Sequence, residues 1–107
     1  MISVVIRRNK KKRICGFAIY DHGSTDVCAA VSLLTLNTVN SIEELTKEPF
    51  EREHNPEGGF LKLNLPRIEK GRNNKDVNLL LESMTLGLVM LKKNYSSDIE
   101  IEDDKYD

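Results

Sequence analysis

Cysteine is scarce in this chain, with two in 107 residues, and histidine is equally scarce. Two cysteines exclude a scaffold built on disulfides and leave room for a single working thiol. Neither residue type occurs in the close pairs that make structural zinc sites, so no metal is expected. Charge of one sign is lacking as well. The 16 basic residues nearly cancel the 17 acidic ones, which excludes a global field drawing the chain to nucleic acid or to a membrane surface. Apolar runs stop well short of the ~18 residues needed to cross a bilayer, and no Gly-rich phosphate loop of the nucleotide-binding kinds is present. The start, MISVVIRRNKKKR, puts charge after a short apolar segment, the reverse of a secretion signal. One domain over residues 1–107, cytoplasmic and without a cofactor, is the expectation that remains.

What is there is patterned. ISVVIRR (2–8) and RICGFAIY (13–20) are rich in β-branched and aromatic residues and flank a polar NKKK, which predicts a β-hairpin. In its second strand Cys15, Phe17 and Ile19 share the better core face, while Ile14, Ala18 and Tyr20 share the other. From Thr25 to about Leu45 there is neither Pro nor Gly, and Val27, Val31, Leu34, Thr38, Ile42 and Leu45 form one helical stripe. Ser24 or Thr25 caps that helix, and Pro49 ends it. EREHNPEGG reads as a short strand or exposed loop, and FLKLNLP as a half-buried strand. After the polar linker EKGRNNKD, a second helix runs from about Lys75 to Tyr95 on Val77, Leu81, Met84, Leu88, Leu91 and Tyr95, capped by Asn73 or Asn74. Leu79, Leu86 and Met90 make a second apolar line, read as core ahead of a dimer contact. DIEIE closes the pattern as a last strand. The order ββαββαβ predicts an α/β two-layer sandwich: a small mixed sheet with two α-helices on one side.

The stretch DHGSTDVCAAVS (21–32) carries the chemistry. Cys28 falls in the first turn of the first helix, where backbone N–H groups and an adjacent imidazolium favour the thiolate. His22 precedes it by a loop short enough to turn back on the sulfur. Asp26, Asp21 and Ser32 are candidates for orienting the histidine or a substrate. Ser32 lies one helical turn beyond Cys28 on the same face. The N–H groups of Val27, Cys28 and Ala29 are candidate oxyanion donors. Against this stands the plainer reading that a cysteine before AAV is a small buried residue and a loop histidine is merely solvated.

RICGFAIYDHGSTDVCAAVSLLT resembles the ribosomal-processing cysteine protease family, Prp. In that family a hairpin strand ends in Gly-His-Ala and a helix opens on Asp-Ile-Val-Cys-Ala-Ala-Val-Ser. The likeness extends over the whole chain, including GGFLKLNL and the long second helix. It implies a bacterial cysteine protease, a homodimer, that trims an N-terminal extension from the large-subunit ribosomal protein twenty-seven with a Cys and His dyad. Position by position, Cys28 takes the nucleophile's place, Ser32 that of the motif serine, and His22 that of the catalytic histidine when the strand is laid without a gap. Laying Gly16-Phe17-Ala18 on Gly-His-Ala instead would put Phe17 there and imply a dead enzyme; the altered flanks of His22 motivate the rival reading, a non-catalytic binder of a ribosomal protein. The flanks differ from the family's: Asp21-His22-Gly23 for Gly-His-Ala, Thr25-Asp26-Val27-Cys28 for Asp-Ile-Val-Cys, and a shorter loop.

Three features stand outside the motif. The run Arg7 to Arg13 reads as a solvated hairpin tip, with no aromatic residues interleaved for base stacking, so nucleic acid is not an expected ligand. His54 reads as a loop residue, with pairing to Cys28 through space a less economical alternative to His22, and Cys15 reads as core.

Overall fold

The computed structural model describes residues 1–21, 25–56 and 59–104, and for Thr25 only the backbone. Five strands form one mixed sheet: β1 (Ile2–Arg8), β2 (Ile14–Asp21), β3 (Glu51–His54), β4 (Phe60–Asn64) and β5 (Ile99–Asp103), in the spatial order β3-β4-β2-β1-β5. Two long helices, α1 (Thr25–Leu45) and α3 (Lys75–Asn94), cross one face, and a single turn, α2 (Pro66–Glu69), follows β4. The predicted sandwich and element order stand, with α2 added where a strand end and linker were expected. Pro66 at the first helical position needs no N–H donor there, which suits it to open that turn.

The hairpin pairs antiparallel from Ile2 opposite Asp21 to Arg7 opposite Gly16, then Arg8 meets Ile14. Cys15 is therefore the extra residue of a β-bulge. The bulge turns Ile14 inward beside Cys15, Phe17 and Ile19, so a residue assigned by simple alternation to the other face is fully buried. At Gly16 a Cβ would stand 2.7 Å from the Leu63 carbonyl oxygen and overlap the Arg7 guanidinium, so the close strand approach requires glycine.

Between sheet and helices lies the core: Ile2, Val4, Ile6, Phe17, Leu61 and Leu63 from the sheet, Val27, Val31, Val39 and Ile42 from α1, and Val77, Leu81, Met84 and Leu88 from α3. Most of both predicted stripes is buried. Leu45 and Tyr95, at the helix ends, instead reach solvent, and Thr35 and Val39 fill the α1 face. The second line of α3 corrects the expectation of core: Leu79, Leu86 and Met90 are each about two-thirds exposed, on the helix face turned away from the sheet.

The tip end is held by polar contacts. Arg8 reaches over the sheet end with its Nε 2.7 Å from Asp103 and its Nη1 2.7 Å from Glu82 of α3, and it is almost wholly buried. Those carboxylates, Asp103 first, drive its pKa still higher, so the cation persists at every accessible pH. At the start of α3, the Asn74 side chain accepts from the Val77 N–H and donates to the buried Glu48.

Candidate active site

The site forms at the end of the sheet opposite the hairpin tip. Phe17, Ile19 and Asp21 alternate onto the helix-covered face of β2, so the strand ends by presenting a carboxylate where α1 begins. Gly59, in the left-handed region at φ +86°, ties the β3–β4 connection to that point, its carbonyl accepting from the Asp21 N–H at 2.9 Å. Cys28, in the first turn of α1, is partly buried against the core edge. Its Sγ donates to Asp21 Oδ1 at 2.7 Å.

Beside this pair opens a cleft of about 220 Å³. Val31, Leu36 and Leu61 are among its apolar lining residues, and Asp21, Ser32, Thr35, Arg52 and His54 among its polar ones. Asp21 and Ser32 are thus brought to one cleft from β2 and α1. Asp26 is exposed in the first turn of α1, and Val27 is buried beneath it. Val27 belongs to the opening residues of the helix, whose N–H groups lack intrahelical acceptors; Ala29 lies one step further along and is exposed. His22, with Gly23 and Ser24, lies outside the described residues.

Of the cleft residues, Arg52 escaped the sequence reading, and His54 was set behind His22 as a partner for Cys28. His54 ends β3, not a loop, and pairs across with Leu61, which pairs in turn with Ile19; this row carries it to the cleft. Arg52 follows from the same strand parity. The signal was the alternation Arg-x-His inside a segment left between strand and loop. Cys15, by contrast, is enclosed, and burial pushes its thiol pKa up.

The fold and the site together define an α/β sandwich that presents a thiol from a helix start beside a cleft, and solved structures share the fold. A Prp protease from S. aureus with a covalently linked product peptide superposes with a TM-score of 0.86 at 25% identity, covering 95% of this chain and 98% of that one. SMU.848 from Streptococcus mutans gives 0.82 at 29% identity, covering 95% and 92%. The ribosomal processing cysteine protease Prp of Bacillus subtilis is 24% identical over 107 residues, 94% of this chain and 96% of its own. The model of the family "Cysteine protease Prp" matches residues 1–100, and the chain belongs to that family of cysteine proteases.

Proposed function

We propose that the chain is an endopeptidase that removes the N-terminal extension of the large-subunit ribosomal protein twenty-seven in the cytoplasm, with Cys28 as nucleophile and His22 as its base. The observation that carries the reading is the Cys28 thiol at the mouth of α1, bonded to Asp21 in the lining of a cleft. Relatives named as ribosomal processing proteases support the substrate class. Phe17 lies wholly buried, four residues before Asp21 and so about 13 Å back along the strand. Position 22 follows Asp21 directly. This favours the alignment that keeps His22.

In this reading the thiol proton passes to His22, and the sulfur electron pair attacks the scissile carbonyl carbon. N–H groups at Val27, Cys28 and Ala29 face the oxyanion, with Val27 the best placed of the three. His22 returns the proton to the departing amine as the C–N bond breaks. A water, deprotonated by His22, then cleaves the thioester and restores the thiol. Ser32 and Asp26 orient the bound peptide, and Asp21 holds the resting thiol until substrate displaces that bond. The exposed line Leu79, Leu86, Met90 on α3 supports a homodimer through the helix layer.

A second reading, a binder that has lost its chemistry, is motivated by the altered flanks of His22, Asp21-His22-Gly23. Incubation with ribosomal protein twenty-seven, read by product mass, separates the two. Loss of an N-terminal segment with the wild type and not with His22→Ala or Cys28→Ala supports the protease. An intact substrate that co-purifies with all three forms supports the binder.

A further inference from the structure

Two basic runs more than fifty residues apart in sequence meet at the hairpin tip. Residues 7–13 and 66–75 together hold ten basic residues and one acid, Glu69, which gives these segments +9. The chain as a whole carries −1, so the remainder carries −10. The molecule is close to neutral only because two opposed charges cancel.

The fold fixes this cationic end. Asn9 accepts from the N–H groups of Lys11 and Arg13 through Oδ1, and its Nδ2 donates to the Ile68 carbonyl at 2.7 Å, bolting the tip to α2. Gly71, at φ +103°, turns the chain back beside it. Lys10, Lys11, Lys12, Lys70, Arg72 and Lys75 all stand exposed around this junction. Arg8 is taken up by Asp103 and Glu82, and Arg7 lies 3.5 Å from Glu69, so neither is counted among them; Lys12 also donates to the Asp104 carbonyl at 3.3 Å, and the Asp104 carboxylate accepts from the Arg8 N–H. Leu79, one turn beyond Lys75 on α3, is exposed, but within the two runs themselves no described apolar side chain is, Ile68 being buried. That argues against insertion into a membrane interface. The two runs themselves contain no aromatic residue, which argues against stacking on unpaired bases.

We propose that this crest docks on the phosphate backbone of double-helical RNA, at the end of the molecule away from the cleft. β2 runs from Ile14 at the crest to Asp21 at the site, about 23 Å at ~3.3 Å per residue, so the docked protein keeps its cleft open. The choice of RNA over other phosphate polymers rests on the proposed ribosomal substrate; the charge geometry does not. The hairpin run alone, as sequence, lacks the second run that makes a surface of it.

The test is fluorescence anisotropy of the whole protein with a labelled RNA hairpin of about 20 base pairs. With about four phosphates engaged, affinity falls roughly a hundredfold between ~50 and ~200 mM salt. Lys10→Gln/Lys11→Gln/Lys70→Gln flattens that salt slope and weakens binding at low salt, while Lys93→Gln, outside the crest, does neither. Circular dichroism checks that each variant is folded. Absence of RNA binding at low salt overturns the proposal. So does binding that the triple variant leaves unchanged, or binding to phosphatidylserine vesicles in preference to the hairpin. RNA binding is read without any cleavage, so failure here is distinct from failure of the protease reading.

Discussion

The two long helices lie on the same face of the sheet and differ in length by one residue, yet their N-termini are put to opposite use. The mouth of α3 is closed: Asn74 accepts from the Val77 N–H, and its amide is held in turn by Glu48, a carboxylate with its side chain only 4% exposed. At the mouth of α1 stands a thiol, bonded to the end of a neighbouring strand, with a cleft alongside. A helix start offers N–H donors and a favourable field for negative charge. The fold uses those properties for stability in α3 and, in the proposed mechanism, for chemistry in α1.

That contrast is open to attack. The largest effect falls on α1: Cys28→Ala lowers the rate of cleavage by about a thousandfold or more, with the thermal midpoint little changed, because the side chain sits at the core edge. A variant that keeps its activity breaks the contrast outright. Next comes the polar lock of the tip end. Arg8→Met strands Asp103, a nearly buried carboxylate, without its cation and costs about 3–5 kcal/mol by urea unfolding. Asn74→Ala removes the cap of α3 and the donor to Glu48, for about 1–2 kcal/mol, again by urea, and leaves cleavage per folded molecule unaltered. Asp21→Asn removes a negative charge from beside the sulfur, so alkylation of Cys28 at neutral pH speeds up several-fold, read by peptide mapping.

The smallest effect sharpens the comparison between the two thiols. Burial holds the Cys15 pKa above its ordinary value. A thiol with a raised folded pKa contributes stability that is present below its unfolded pKa and lost as pH climbs through the folded one. The wild type therefore loses some stability above about pH 9, and Cys15→Ala loses less over the same range, as urea midpoints at about pH 8 and pH 10 reveal.

The residues that announced themselves in sequence were those whose structure is set by near neighbours. The α1 boundaries at Thr25 and Leu45 and the start of α3 at Lys75 follow from apolar spacing, caps and Pro49, all local signals. The bulge at Cys15 was hidden, because strand alternation says nothing about a partner strand that skips a residue. The line Leu79, Leu86, Met90 was misassigned since spacing identifies a face without saying whether anything covers it. At the site, Cys28 was legible from its place at a helix start. Asp21, seven residues before Cys28, was a candidate from the same stretch; the arrival of Arg52 and His54 at the cleft depends on strands that are distant in sequence, and no local pattern encodes that register.

The central claim, that Cys28 is the attacking group of a protease, is tested most directly by acid-quenching the reaction with ribosomal protein twenty-seven during turnover and weighing the intact chain. The account predicts a species heavier by the acyl group of the removed extension, mapped to Cys28 and missing from Cys28→Ala. Cleavage without such a species, or an adduct mapped to any other residue, would contradict it.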